Sequence, residues 1–187
     1  MLCIGLVSNA VVARCDAAST ETTQAKLGKL LKCRAVIVVR HAEKDGGQED
    51  GAPINKAGQE RAKALASALG ELDVTKILVS YAKRTQQTAQ PLIDALSQKG
   101  RRFQCYTNLG SIYTHADEID IRAVTQSLEE NDVVLIVSHS SRLPQLLADL
   151  GDPNQDAEVF DKMWIFVPNV ARTGLSVIHT RYGRASQ

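Results

Sequence analysis

The chain has 187 residues, of which 44% are hydrophobic and 23% are charged. These values are close to those of an average globular domain, and they exclude a disordered tail, a collagen-like chain and a disulfide scaffold. With 22 Lys and Arg against 21 Asp and Glu, the formal net charge is +1, and aromatic residues make up only 4%. Composition therefore provides no basic or base-stacking surface for nucleic acid, and any anion site must be built from a few placed residues.

The amino-terminal segment 1–20 opens with an uncharged, largely apolar run over 1–13. This run is too short for a transmembrane helix, which needs about 20 apolar residues. It fits the apolar core of a secretory signal, although the basic region that usually precedes such a core is missing. We predict a signal peptide or a disordered leader over 1–20, and a secreted or periplasmic protein with a cytoplasmic one as the alternative. Whether the leader is cleaved stays open.

Cys33 and Cys105 are the cysteines that would remain after such a leader is removed. An oxidising compartment would permit a disulfide bond between them, and two small buried thiols are the alternative. The sequence has no Cys-x-x-Cys pair and no Cys/His spacing typical of zinc ligands. We therefore expect no structural zinc site.

The first half of the chain alternates predicted strands with predicted helices. The run from Arg34 to Val39 is continuously apolar after its first residue, which is typical of a strand buried on both faces. Small and apolar residues at helical spacing predict a helix over 54–72. A second strand is predicted over 75–80, followed by a helix over 82–97 in which Pro91 is expected to produce a kink.

The second half continues the alternation. Its predicted elements are a strand over 102–107, irregular chain over 108–115, a helix over 117–130, a strand over 132–138, a helix over 143–150, and strands over 163–167 and 175–180. Strands that alternate with helices indicate an α/β fold with a mostly parallel sheet. No repeat or low-complexity linker interrupts the pattern, so we predict one domain over 33–187.

Basic and imidazole side chains follow three of the predicted strands. Arg40 and His41 come directly after the first strand, Arg84 lies shortly after the second, and His139 follows the strand over 132–138. Ligands of open parallel sheets bind at the carboxyl ends of the strands. If these strands are neighbours, two guanidiniums and two imidazoles meet in one small volume. Such a cluster favours a compact dianion such as a phosphoryl group.

Four segments resemble the motifs of the histidine phosphatase superfamily. They are Val39-Arg40-His41-Ala42-Glu43-Lys44, the stretch NKAGQERAKALA over 55–66, Arg84-Thr85-Gln86-Gln87-Thr88-Ala89, and Val137-Ser138-His139-Ser140. They occur in the family's order and at the predicted strand and helix positions. The first segment is most similar to the small branch that includes SixA-type phosphohistidine phosphatases. The resemblance implies a three-layer α/β/α sandwich with a mostly parallel central sheet, as in phosphoglycerate mutase.

The resemblance also implies a catalytic role for each of four residues. His41 would attack phosphorus and form a phosphohistidine intermediate, which water then hydrolyses. Arg40 and Arg84 would bind the phosphoryl oxygens, and a protonated His139 would donate to the same oxygens. These cations would supply the positive charge, so we expect no metal and no cofactor. Each of the four residues also has a plain structural alternative, a core histidine or a surface ion-pair arginine.

Two features leave the resemblance incomplete. Ala42 stands where the family usually has glycine, which reaches positive φ more freely. The proton donor to the leaving group is open among Asp117, Glu118, Asp120 and Glu43. The first three also suit the start of a helix, where carboxylates interact favourably with the helix dipole.

The sequence therefore predicts a metal-independent phosphatase for phosphomonoesters or phosphoramidates. The short chain leaves little room for a large lid, so we expect an open pocket that accepts a phosphoprotein or varied small phosphates. We predict no nucleic acid partner and no membrane span, and the oligomeric state stays open. The alternatives are a phosphoryl-transferring mutase, or a phosphate-binding protein with little turnover.

Overall fold

The computed structural model describes residues 35–47, 51–107, 113–114, 118–119, 129–153, 158–168 and 175–186. The predicted leader over 1–20, Cys33 and the domain boundary at 33 lie outside these residues. The signal peptide and the Cys33–Cys105 bond therefore remain predictions; Cys105 itself is exposed. Within the described part of the chain, no helix has the length and apolar character needed to span a membrane.

Six strands form the central sheet of the domain. They are β1 (Ala35–Arg40), β2 (Lys76–Val79), β3 (Gln104–Thr107), β6 (Val133–Ser138), β7 (Lys162–Pro168) and β8 (Leu175–Arg181). Their order across the sheet is β3-β2-β6-β1-β7-β8. The first four are parallel to one another. Strand β7 is antiparallel to β1, and β8 is antiparallel to β7. The mostly parallel sheet predicted from the sequence is thus confirmed.

Helices cover both faces of this sheet. Helices α1 (Lys56–Leu69) and α2 (Lys83–Gln98) pack on one face, against a core cluster that includes Ile37 and Val39 of β1. The short helix α3 (Leu143–Asp149) packs on the other face, against a cluster that includes Val38. Because successive side chains of a strand point to opposite faces, β1 must be apolar throughout to serve both clusters. The predicted three-layer sandwich is confirmed.

Local signals account for where the two long helices begin and end. Asn55 precedes α1, and its side-chain oxygen accepts a hydrogen bond from the backbone N–H of Gly58 (2.9 Å). Helix α2 continues through Pro91, at the loss of one intrahelical hydrogen bond. It ends at Gln98. Two residues later Gly100 has a φ of 64°, which is readily reached without a Cβ, and the N–H of Arg101 bonds back to the carbonyl of Leu96 (3.0 Å).

The segment between β3 and β6 departs from the prediction in two places. Tyr113–Thr114 forms the short strand β4 where irregular chain was expected, and it pairs antiparallel with β5 (Glu118–Ile119). The helix predicted over 117–130 is therefore wrong at its start. Aromatic and β-branched residues at three of these four positions favour the extended pairing. The helix was predicted because apolar residues later in the segment have helical spacing.

Strand register determines where the functional side chains meet. Strand β6 lies between β1 and β2, with Arg40 opposite Ser138 and Val79 opposite Val137. All three strands run in the same direction, so they end at one edge of the sheet. The residues that follow them, which include His41 and His139, lie there.

Candidate active site

The four residues that the sequence singled out for catalysis lie together at this edge. The imidazole rings of His41 and His139 have centroids 5.3 Å apart, at an interplanar angle of 59°. The Nη2 atom of Arg84 lies 3.2 Å from Nδ1 of His139. Arg40 is the last residue of β1, directly before His41. The predicted juxtaposition of two imidazoles and two guanidiniums is present in the structure.

His41 is a buried imidazole with a defined tautomer. Its side chain and backbone are only 4% exposed, and its backbone N–H donates to the carbonyl of Ser138 (2.8 Å). Nδ1–H donates to the carbonyl oxygen of Ala42 (2.8 Å), so the lone pair of the neutral ring lies on Nε2. Burial, reinforced by the nearby His139 and the two arginines, lowers the pKa of His41 to about 4, although the Ala42 hydrogen bond opposes the shift. The ring is therefore neutral at pH 7.

Arg40 is held by residues of the segment that leads into β7. Its Nη1 donates to the backbone carbonyl of Glu158, and its guanidinium carbon lies 3.9 Å from the centroid of the Phe160 ring. Burial lowers the pKa of Arg40, and the carboxylates of Glu158 and Glu43 oppose that shift. Among the described residues, no hydrogen-bond partner reaches its buried Nε–H. A buried donor left over in this way suits a phosphoryl oxygen.

His139 is held between Arg84 and Ser80. A guanidinium can only donate, so Nδ1 of His139 accepts from Arg84, and Nε2–H donates to Oγ of Ser80 (2.8 Å). This arrangement places the proton of the neutral ring on Nε2.

The second motif connects the loops around the site. Thr88 accepts from the backbone N–H of Ala42 (2.9 Å), and Gln87 accepts from that of Ile54 (2.9 Å). Thr85 donates to the carbonyl of Ala82 (2.8 Å), which anchors the start of α2. Thr85, Gln87 and Thr88 thus each bind a backbone group near the active site.

Of the four candidate proton donors, Glu43 is the one whose side chain is described. Both of its carboxylate oxygens accept hydrogen bonds from Arg61, at 2.6 and 2.9 Å. Burial raises the pKa of Glu43, but the hydrogen bonds and charge of Arg61 outweigh burial and leave the pKa below its usual value. An ionised, fully engaged carboxylate is poorly suited to donate a proton. Asp117, Asp120 and the side chain of Glu118 lie outside the described residues.

Three residues at this edge escaped the sequence prediction. Ser80, Glu158 and Phe160 contact His139 or Arg40. For Ser80 a signal existed, because a hydroxyl residue directly follows β2 at the edge where His139 was expected. No local pattern links Glu158 or Phe160 to Arg40, since they belong to a different part of the chain.

A cleft of about 350 Å³ lies beside the cluster and is lined by Glu43, Glu60, Phe160 and Arg184, among others. Among the residues described here, no group of three His, Cys, Asp or Glu could hold a metal ion.

His179 lies on the edge strand β8, where its Nε2 is 2.6 Å from a carboxylate oxygen of Asp152, and it does not join the site.

Comparison with known protein families finds a match over part of the chain. Residues 36–104 match the model of the histidine phosphatase superfamily (branch 1), a range that contains Arg40, His41 and Arg84. No curated protein sequence is significantly similar to the chain.

Solved structures share the fold at low sequence identity. The protein histidine phosphatase SixA complexed with tungstate is 16% identical, with a TM-score of 0.56 over 79% of this chain and 96% of that one. The SixA protein from Nakamurella multipartitia is 19% identical, with a TM-score of 0.53 over 81% of this chain and 98% of that one. A phosphoserine phosphatase from Entamoeba histolytica, in complex with 3-phosphoglyceric acid, is 13% identical with a TM-score of 0.50, over 81% and 98% of the two chains.

Proposed function

We infer that this chain is a histidine phosphatase that hydrolyses phosphomonoesters or phosphoramidates through a phosphohistidine on His41; the model of that superfamily matches residues 36–104. The observation that carries the proposal is the state of His41, a buried neutral imidazole beside two guanidiniums and a second imidazole. A nucleophile needs a lone pair, and an anionic substrate needs positive charge at the same place. This site supplies both.

The first step forms a bond between Nε2 of His41 and phosphorus. The hydrogen bond from Nδ1–H to the carbonyl of Ala42 leaves Nε2 as the nucleophilic atom. As the N–P bond forms, the bond from phosphorus to the leaving oxygen or nitrogen breaks, and the leaving group takes a proton. In the second step a water oxygen attacks phosphorus, the N–P bond breaks, and inorganic phosphate leaves the regenerated imidazole.

The cations of the site would stabilise the phosphoryl oxygens, over which the transition-state charge is spread. Arg40 has a buried Nε–H to offer, and Phe160 and the Glu158 carbonyl hold its guanidinium in place. Arg84 and His139 lie on the other side of the same edge, in contact with each other. A phosphoryl group bound there would accept hydrogen bonds from the guanidinium of Arg84.

The leaving group and its proton donor are less narrowly defined. Glu43 is engaged by Arg61, so we assign the donor to Asp117, Glu118 or Asp120, or to water when the leaving group is a good one. The cleft beside Phe160, with the carboxylate of Glu60 and Arg184 in its lining, supports a leaving group larger than a simple alcohol. A phosphoprotein or a range of small phosphates fits this proposal.

Trapping of the phosphoenzyme tests the mechanism directly. The protein is incubated with a radiolabelled phosphodonor and quenched in alkali, and the label is mapped by peptide digestion. We expect acid-labile label on His41 and release of inorganic phosphate, both lost by at least about a thousandfold in His41→Ala. The matched control is His179→Ala, which removes a histidine away from the cluster and should retain label and turnover.

The same experiment separates the alternatives. A mutase would pass the label to a second phosphate-accepting molecule instead of to water. A binding protein would retain tungstate in both variants and give neither label nor phosphate release with any of p-nitrophenyl phosphate, phosphohistidine peptides and sugar phosphates. Either result would overturn the proposed reaction. Turnover restricted to one small metabolite would overturn the proposed breadth of substrates.

The proposal of a secreted or periplasmic location is independent of the site and depends on the apolar run over 1–13. Mass spectrometry of the amino terminus of the mature protein tests it. An amino terminus within the first few residues would contradict it.

A further inference from the structure

The hydroxyl of Ser80 lies between the second imidazole and the start of α2. Ser80 is 4% exposed, and its Oγ is 2.8 Å from Nε2 of His139. The same oxygen is 3.0 Å from Oγ1 of Thr85 and 3.2 Å from the backbone nitrogen of Ala82. A buried hydroxyl with three polar neighbours has a restricted set of hydrogen-bond directions.

The directions of these bonds follow from what each group can donate. Thr85 uses its proton on the carbonyl of Ala82 (2.8 Å), so its oxygen accepts from the hydroxyl of Ser80. The N–H of Ala82 can only donate, and it occupies one lone pair of the Ser80 oxygen. The remaining lone pair accepts from Nε2–H of His139. The hydrogen bonds of Ser80 are then complete.

This pattern agrees with the other end of the imidazole. Arg84 can only donate, so Nδ1 of His139, 3.2 Å from its Nη2, must carry the lone pair. Two independent neighbours thus require the same tautomer. Without the Ser80 oxygen, Nε2–H of His139 would lose this acceptor, and a ring flip that exchanges the two nitrogens would become easier.

We propose that Ser80 is a positioning residue that holds His139 in its Nε2–H tautomer, so that Nδ1 accepts from Arg84 and keeps that guanidinium in place for the phosphoryl group. The catalytic part of this inference rests on the proposed function, whereas the tautomer does not. Ser80 does not touch the substrate; it acts through His139. Its loss should therefore slow the chemical step more than it weakens binding.

Two variants and one control test this role. Ser80→Ala removes the acceptor for His139, and Ser80→Thr keeps a hydroxyl at the same place. The control is Thr75→Ala, which removes a hydroxyl at the opposite end of β2, where it donates to a carboxylate oxygen of Asp132 (2.7 Å). Circular dichroism and thermal melting establish that each variant is folded.

The primary measurement is the ¹⁵N NMR signature of the His139 imidazole, assigned with His139→Gln. The wild type, Ser80→Thr and Thr75→Ala should give the Nε2–H tautomer, and Ser80→Ala a mixture or the other tautomer. In turnover, Ser80→Ala should lose roughly ten- to a hundredfold in kcat with a smaller change in KM, and Ser80→Thr should recover part of it.

An unchanged tautomer in folded Ser80→Ala would overturn the inference, whatever the activity. Equal losses of kcat in Ser80→Ala and Thr75→Ala would also overturn it, because they would indicate a general structural effect. If the wild type hydrolyses no phosphate compound, the proposed function fails, but the NMR comparison still decides the role of Ser80.

Discussion

The guanidinium of Arg61 binds the carboxylate of Glu43, with Nη2 2.6 Å from Oε1. Arg61 also donates from Nη1 to the carbonyls of Tyr182 (3.3 Å) and Arg184 (2.9 Å). One buried side chain of α1 therefore connects the loop after His41 to the segment that follows β8. The pair is a structural support of the site, although the sequence counted Glu43 among the candidate acids.

Removal of the Glu43 carboxylate should destabilise the domain. Glu43→Ala would leave Arg61, whose side chain is 4% exposed, without its charge partner, and breaking such a pair costs about 3 kcal/mol. We expect a loss of this size in the free energy of unfolding, measured by urea denaturation at pH 7. The exposed pair of Glu60 and Lys63 is the control, and Glu60→Ala should cost less than about 1 kcal/mol.

The pH dependence of this contribution has a defined sign. The folded-state pKa of Glu43 is lowered, so its stabilisation is fully present above pH 4.5 and is lost as the pH falls below that value. Equal stability of Glu43→Ala and wild type at pH 7 would contradict the structural role.

A side chain at Gly58 should disturb the same loop. A Cβ at this position of α1 would lie 2.2 Å from the carbonyl oxygen of Glu43, which also accepts from the N–H of Asn55 (2.9 Å). The Glu43 backbone and the Cβ of Ile54, 2.9 Å away, are not the ends of flexible side chains, so we expect Gly58→Ala to cost about 1–3 kcal/mol. Gly51→Ala, with nothing within 4 Å, should change stability little, and urea midpoints of the two variants compare them. Equal midpoints would exclude the predicted clash.

The acid limb of phosphatase activity should lie near pH 4. The pKa of His41 is lowered to about 4, so its nucleophilic neutral form persists well below the usual histidine pKa of 6.5. We expect the enzyme contribution to kcat/KM to fall only as the pH approaches 4, once substrate ionisation has been titrated separately. An acid limb set by the enzyme near pH 6.5 would contradict the neutral buried state.

The same lowered pKa should make stability depend on pH. Between pH 6.5 and about 4 the unfolded His41 binds a proton that the folded one excludes, so stability falls as the pH falls through this window. The full difference is about 3 kcal/mol. His41→Gln should show a correspondingly weaker loss between pH 7 and pH 4, measured by urea denaturation at each pH. Parallel pH profiles of the free energy of unfolding for the two proteins would contradict the lowered pKa of His41.

The aromatic ring beside Arg40 should influence substrate binding. Phe160→Leu removes the face on which the guanidinium rests, 3.9 Å from the ring centroid. Cation–π contacts contribute about 0.5–2 kcal/mol, so we expect KM, or the inhibition constant of tungstate, to rise by roughly two- to thirtyfold. Phe103→Leu, which alters a half-buried ring packed on the core, is the control. Equal effects of the two variants on KM or the inhibition constant would show that Phe160 has no specific role in substrate binding.

Much of the fold could be predicted from local patterns. Strand β6 is apolar at every position before Ser138 because both faces of the sheet are covered, and that continuous run is visible in the sequence. Helix α1 was expected from the helical spacing of its small and apolar residues. The prediction failed at β4 and β5, whose two-residue strands are too short to show a period.

The sequence by itself determined which side chains follow the strands. It therefore predicted that Arg40, His41 and His139 lie at one edge of the sheet and form one anion-binding site. Only the tertiary structure decided that β6 lies between β1 and β2, that Phe160 rests on Arg40, and that Arg61 engages Glu43. It also decided that His41 is neutral and which nitrogen of His139 carries the proton. The reason is physical: strand order, desolvation and hydrogen-bond partners arise between residues far apart in the chain, and local periodicity contains no information about which distant groups will meet.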